Sequence, residues 1–277
     1  MKNMRAGVRL IDTLCIQNIT IKNLLPSKGD LMALYALGDL HLNFQTKDKS
    51  MDKFGDVWID HEKKARRNIE AALGPEDTLV LTGDHSWGRN LTECREDLEF
   101  IEALPGRKIL LRGNHDMFWL ANKTEKLNRI FEGRLLFLQN NYYSYKDYAL
   151  VGTKGATFEG PFYIGNDGTV SWDEDMKRRS DKLVRREEKR LRTSFEKAAE
   201  DGYKKFIMFL HYPPTSIIET ESVFTRMAEE YHVDQVVYSH CHGESRFNDS
   251  LRGMNNGIMY SLVSGDYLDF MPKKILD

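Results

Sequence analysis

From Met32 onward, short apolar runs alternate with longer stretches in which apolar residues recur every three or four positions. Residues 33–37, 78–81, 108–111, 149–152, 205–210, 235–238 and 258–263 have the length and the aliphatic or aromatic content of strands. Between them, 56–73, 91–104, 117–131, 172–201 and 220–231 carry a helical period. Strands alternating with helices predict largely parallel pairing in a layered α/β fold. The stretch "YYSYKDYALVGT", with Lys146-Asp147 as its turn, instead predicts a hairpin at one edge of the sheet system. No repeat, low-complexity tract or Pro/Gly linker divides 32–277, which is read as one domain.

Residues 1–31 break the pattern. Val8, Leu10, Ile11, Leu14, Ile16, Ile19 and Ile21 keep neither a helical nor a strand period. The segment lacks the apolar h-region and small-residue cleavage site of a secretory signal. "SKGDLM" is compatible with a purine-rich ribosome-binding sequence before Met32, so 1–31 is read as an N-terminal extension with a misplaced start and Met32 as the true beginning.

The helical stretch 172–201 carries nine Lys and Arg between Lys177 and Arg192, which could bind phosphate. The interspersed Glu187 and Glu188 favour a solvated helix. It is expected to pack through Trp172, Met176, Leu183, Leu191 and Phe195, with Asp173, Glu174 and Asp175 favouring its N-terminus through the helix dipole.

Composition narrows the function. The chain has 277 residues, 40 basic against 42 acidic side chains and 41% hydrophobic residues, enough for a sizeable core. The near balance of charge provides no global field for nucleic acid or anionic membrane. Three scattered cysteines, Cys15, Cys94 and Cys241, build neither a disulfide framework nor a thiolate zinc site, which points to the cytoplasm. The apolar run Phe206 to Leu210 is far shorter than the roughly 20 residues of a membrane span.

Chemistry collects where the strands end, the place open α/β sheets offer to ligands. "LGDLH" supplies Asp39 and His41, "LTGDHSWG" Asp84, "LRGNHD" Asn114, His115 and Asp116, "FLHYPP" His211, and "YSHCHG" His240 and His242. Singly, each is unremarkable. Together they place five of the eight histidines with carboxylates and an amide at strand-to-loop junctions. Such oxygen and nitrogen donors without thiolates suit two divalent first-row ions. In Asp39-Leu40-His41 and His240-Cys241-His242 the donors are two apart, so extended backbone would turn both of a pair to one side.

The ordered set "GDLH", "TGDH", "GNHD", "LHYPP", "SHCHG" resembles the calcineurin-like metallophosphoesterases, and "GDHSWG", "LPGRKILLRGNHD" and "VSGDYLDF" are similar to a bacterial branch of uncharacterised phosphohydrolases within them. The resemblance implies a central β-sandwich flanked by helices and two metal ions, manganese, iron, zinc or nickel. It implies that Asp39, His41, Asp84 and His242 hold one ion and that Asp84, Asn114, His211 and His240 hold the other. It further implies that His115 faces the phosphoryl group, with Asp116 orienting its imidazole. Ser239 stands where the family usually has glycine; serine is small enough to be tolerated there unless the backbone is strained.

Two such ions lower the pKa of a water between them, so that hydroxide can attack a phosphate ester in line. Protonated His115 would stabilise the phosphoryl charge or protonate the leaving oxygen. The expected substrate is a small-molecule phosphate ester. Arg89, Arg112, Lys47 and Lys154 are the only cations on or near the motif loops, and Arg112 is expected to turn away into an ion pair; this scarcity favours diesters. The alternatives are a nuclease, a nucleotide or lipid pyrophosphatase, and a non-catalytic scaffold, the last opposed by the full donor set. His85 is expected behind the donors or on the surface. Trp87, Phe118, Trp119 and Tyr212 are candidates for pocket walls or core packing. Oligomeric state leaves no mark on the sequence.

Overall fold

A computed structural model describes residues 32–157, 162–164, 167, 169–216 and 219–277. The reading of 1–31 as an extension lies outside the described residues. Strands β1 (Leu34–Leu37), β2 (Thr78–Leu81), β3 (Arg107–Leu111), β4 (Leu136–Leu138) and β13 (Lys273–Leu276) form one sheet in the order β13-β1-β2-β3-β4. Strands β5 (Tyr142–Tyr145), β6 (Tyr148–Thr153), β9 (Lys205–Leu210), β10 (Gln235–Tyr238), β11 (Gly253–Asn255) and β12 (Ile258–Leu262) form the second, in the order β11-β12-β10-β9-β6-β5. A small antiparallel pair joins β7 (Phe162–Ile164) to β8 (Val170–Trp172).

Pairing is parallel in the middle of both sheets and antiparallel at β13, β11 and β5. The expected hairpin is the β5–β6 edge, turning at Lys146 with φ 52°.

Alternation along each strand explains the layers. Leu34 and Ala36 point between the sheets and meet Leu150, Ile207, Phe209 and Val237. Ala33, Tyr35 and Leu37 point the other way, into a layer that includes Ala65 and Ile69 of α1 (His61–Ala72), Leu98 and Ile101 of α2 (Arg95–Glu102) and Leu127 of α3 (Thr124–Phe131). On the far side, Val151, Met208 and Val236 pack with Leu191 and Phe195 of α4 (Glu174–Glu200) and Phe224 and Met227 of α5 (Val223–Glu230). The short helix α6 (Glu244–Asn248) follows the last motif. Strands covered on both faces read as continuous apolar runs, and each buried Leu, Ile or Phe contributes about 1.5–3 kcal/mol.

Helix α4 begins as expected: the Asp173 carboxylate accepts the N–H groups of Asp175 and Met176 at 2.9 and 3.0 Å. Its basic run is interleaved with partners, Arg190 with Glu187 and Arg192 with Glu230. Leu191 and Phe195 are buried as predicted, but Met176 and Leu183 are exposed. Three other helices start later than their periodicity suggested. A left-handed Asp60 separates the short 3-10 turn Asp56–Trp58 from α1, and α2 and α3 begin only at Arg95 and Thr124, leaving the residues after β2 and β3 free to build loops.

Those loops converge where the sheets touch. The Gly38 N–H, just after β1, donates to Val263 O, just after β12, at 2.7 Å. A Cβ on Gly38 would lie 2.5 Å from the Cβ of Ser239. Ser239 itself is absent from the left-handed region, so the serine is unstrained and fits because residue 38 has no side chain.

Candidate metal centre

Every sequence-predicted donor reaches this junction. Asp39 and His41 follow β1, Asp84 follows β2, Asn114 and His115 follow β3, His211 follows β9, and His240 and His242 follow β10. Asp39, His41 and His242 bring one ligand atom each to within 4.8 Å of one another, and Asp84, His211 and His240 do the same. The triads adjoin: Asp84 Oδ2 lies 3.7 Å from His41 Nε2 and 3.4 Å from His211 Nε2. Asn114 Oδ1 is 2.7 Å from His211 Nε2.

The route to this convergence differs from the extended alternation expected. Asp39, His41, Asp84 and His240 all have positive φ, 59°, 43°, 53° and 70°. Left-handed backbone at a non-glycine residue stores on the order of 1–3 kcal/mol, and such strain gathers at functional sites. Here it swings the side chains of Asp39 and His41 into one centre while Leu40 between them stays in the core.

Backbone hydrogen bonds hold the carboxylates. Asp84 Oδ1 accepts the His115 N–H at 2.8 Å, and Asp39 Oδ2 accepts the His240 N–H at 3.1 Å. Asp116 departs from its expected place. Its oxygens accept the N–H groups of Gly113, Asp84 and His85 at 2.7, 2.9 and 2.8 Å, so the carboxylate ties the β2 and β3 loops together instead of orienting the His115 ring. The imidazole of His115 packs against Trp87, centroids 4.3 Å apart, and Trp87 also stacks on His41 at 5.1 Å.

The other aromatic candidates divide. Phe118 and Trp119 are buried in the core beneath the first sheet, whereas Tyr212 stands 4.2 Å from the His240 ring. His85 is fully buried, its Nε2 facing Leu111 O at 2.9 Å. Arg112 is half-buried but not in the expected ion pair: among the described residues its guanidinium has no acidic partner within salt-bridge distance, and its Nε is buried without a hydrogen bond.

Burial and charge set the protonation. Burial lowers His41 to about 3 and His240 to about 2. Burial also acts most strongly on His242, but Asp39 and Asp266 outweigh it and raise this imidazole to about 9. In Asp84 the neighbouring His211, His41 and His115 outweigh burial and hold the carboxylate well below its ordinary range.

The chain matches the family model for calcineurin-like phosphoesterases over residues 32–244. It belongs to that family. A comparison with curated proteins returns no match. Among solved structures, the chain is similar to a phosphopantetheinyl hydrolase from Mycobacterium tuberculosis (13% identity, 88% of this chain and 95% of that one, TM-score 0.50). It is also similar to a protein of unknown function from Aquifex aeolicus (16% identity, 88% and 96%, TM-score 0.47) and to a calcineurin-like phosphoesterase from Bacillus subtilis (15% identity, 84% and 80%, TM-score 0.42).

Calcineurin-like phosphoesterases bind divalent metals, and this member is a metal-dependent phosphohydrolase. Its residues fit such ions. Asp39 Oδ1, Asp84 Oδ2, His240 Nδ1 and His242 Nε2 are buried without a hydrogen-bond partner, a costly arrangement that cations at the centre would relieve. The donor set, carboxylate and imidazole with an amide beside it, is the mixture first-row ions accept. Tautomers are prepared as well: His211 Nδ1 faces Thr82 O at 3.1 Å and His242 Nδ1 faces Asp266 Oδ1 at 3.0 Å, leaving both Nε2 atoms for the centre. Asp266 is the participant that sequence reasoning missed; its only signal was the stretch "VSGDYLDF". Among the described residues, no helix is long and apolar enough to cross a membrane.

Proposed function

We propose that this phosphohydrolase works with two divalent ions, one held by Asp39, His41, Asp84 and His242 and the other by Asp84, Asn114, His211 and His240. The observation that carries the reading is Asp84 Oδ2, buried, unpartnered and within 3.7 Å of one imidazole from each triad. When bound, ions so placed supply Lewis acidity toward water and phosphate oxygens. The protein's own part is then positional. The His115 N–H fixes Asp84, while its half-buried ring, held against Trp87, turns a proton-carrying group to the substrate and delivers that proton to the leaving oxygen. Asp116 keeps both loops in register through its backbone bonds.

The substrate is proposed to be a small phosphodiester. Arg89 is exposed and paired with Glu93 and Lys47 lies in an exposed turn, so of the four cations on or near the motif loops only Arg112 and Lys154 remain beside the donors, few for the second charge of a monoester. Manganese is the first ion to try, since oxygen and imidazole donors accept it readily. The buried free thiols of Cys94 and Cys241 suit a reducing cytoplasm.

Two measurements test the reading. Elemental analysis should find close to two equivalents of metal in the protein and a loss of both in Asp84→Ala; full retention in the variant removes the shared ligand. Manganese-loaded enzyme should hydrolyse bis(p-nitrophenyl) phosphate with a higher kcat/KM than p-nitrophenyl phosphate, and the opposite order reverses the choice of ester.

A further inference from the structure

Met176 and Leu183 remain 44% and 40% exposed although they continue the apolar stripe that Leu191 and Phe195 bury. With Ser180 between them they stand at i, i+4 and i+7 of α4, on one helix face. That face does not enter the core. It lines a cavity of about 390 Å³ whose other walls include Ala156, Tyr212 and Lys154. Ser180 is fixed by donating its hydroxyl to Thr157 O, which ties the helix to the loop after β6.

The cavity adjoins the donors. Tyr212 follows His211 directly, and its ring meets the rings of His211 at 5.4 Å and His240 at 4.2 Å. The Lys154 carbonyl accepts the N–H groups of both His211 and Tyr212, at 3.2 and 2.9 Å. The Lys154 ammonium lies 4.9 Å from the Tyr212 centroid. This side chain is half-buried, and among the described residues it has no hydrogen-bonding or ion-pairing acceptor.

We propose that this cavity takes an aryl, or similarly flat and apolar, ester group of the substrate, with Lys154 at its mouth against an oxygen of the attached phosphoryl group. The inference rests on the proposed phosphoesterase centre, since the phosphoryl group is what brings an ester substituent to Tyr212. The size lies at the small end of ligand pockets, with room for one ring system. Tyr212 offers an aromatic face, Met176 an adaptable thioether, and Leu183 and Ala156 aliphatic walls. A cation beside the ring of Tyr212 suits a group that is apolar at one end and anionic at the other.

Binding of non-hydrolysable phosphonates to the manganese-loaded protein tests this without requiring turnover. Phenylphosphonate should bind roughly tenfold more tightly than methylphosphonate, a ratio ordinary for burying one ring. Leu183→Asp and Met176→Asp, both at exposed helix positions, should bring the two ligands to within about twofold of each other, the remainder after the apolar wall is lost. Equal affinities in the wild type, or an aryl preference that survives both substitutions, overturns the cavity assignment. Lys154→Met should weaken both ligands alike, and an unchanged methylphosphonate affinity overturns the Lys154 contact. Hydrolysis is scored separately: failure of the wild type to cleave any p-nitrophenyl ester sinks the phosphoesterase reading, whereas equal phosphonate affinities sink only the cavity.

Discussion

His242 holds its Nδ1 3.0 Å from Oδ1 of Asp266, whose other oxygen accepts the Gly243 N–H at 3.1 Å. The carboxylate fixes both the ring and the backbone that follows it, an outer partner of the kind whose loss typically costs 10–100-fold in metal affinity. Asp266→Ala should therefore weaken one of the two proposed metal equivalents by about that factor. Competition against a chromogenic chelator measures it; unchanged affinity for both equivalents removes Asp266 from the centre.

Gly113 has no room for a side chain. A Cβ there would lie 2.1 Å from Asp84 Oδ1 and 2.2 Å from Asp84 N. Gly113→Ala must displace the proposed shared ligand or the β3 loop, and overpacking of this kind costs about 1–3 kcal/mol. Denaturant unfolding should report that loss, with metal content falling in parallel. A variant with normal stability and both ions would show that the loops yield freely.

His115 and His240 should separate cleanly. His115→Ala leaves both triads intact and should keep the metals while losing roughly 10²–10⁴ in kcat, the range of a general acid. His240→Ala should instead lose metal. Parallel elemental analysis and turnover decide the matter, and equal metal loss in the two variants collapses the distinction.

The histidine shifts set a pH optimum for the stability of chelator-treated protein. His242, raised to about 9, contributes stability that is complete below its unfolded value and lost as the pH climbs through 9. His41 and His240, lowered to about 3 and about 2, act in the opposite sense. They are neutral when folded, so stability falls once the pH drops below about 6.5 and the unfolded chain takes up their protons. Thermal unfolding in EDTA should thus show its highest Tm near pH 6–7, a window bounded by these shifts. A Tm still rising from pH 7 to 9 contradicts the His242 assignment.

The strand cores were legible because β1, β2 and β9 are apolar on both faces, and the donors were legible because they follow those strands directly. The short strands β4, β11 and β13 were not, since three or four residues carry no period and depend on their sheet neighbours. Phe118 and Trp119 made the β3 loop look helical; they are buried as loop residues, and the helix waits until Thr124. The donor pairs of "DLH" and "HCH" were recognised for a reason that fails in detail, because left-handed turns are set by the packing of both sheets and leave no local mark. Asp266 meets His242 across 24 residues, a distance at which one aspartate among many gives no signal.

Each triad draws on both sheets: Asp39 and His41 follow β1 while His242 follows β10, and Asp84 follows β2 while His211 and His240 follow β9 and β10. Severing the chain at residues 139–141, between the last strand of one sheet's parallel run and the first of the other, would leave neither fragment with a complete triad. Such a split protein should reassemble as a metal-gated pair. Ion at a hundredfold excess over its Kd would add about 2.7 kcal/mol per site to the association, and chelation would withdraw it. Seen this way, the centre is a rivet through the sandwich as well as a place for chemistry.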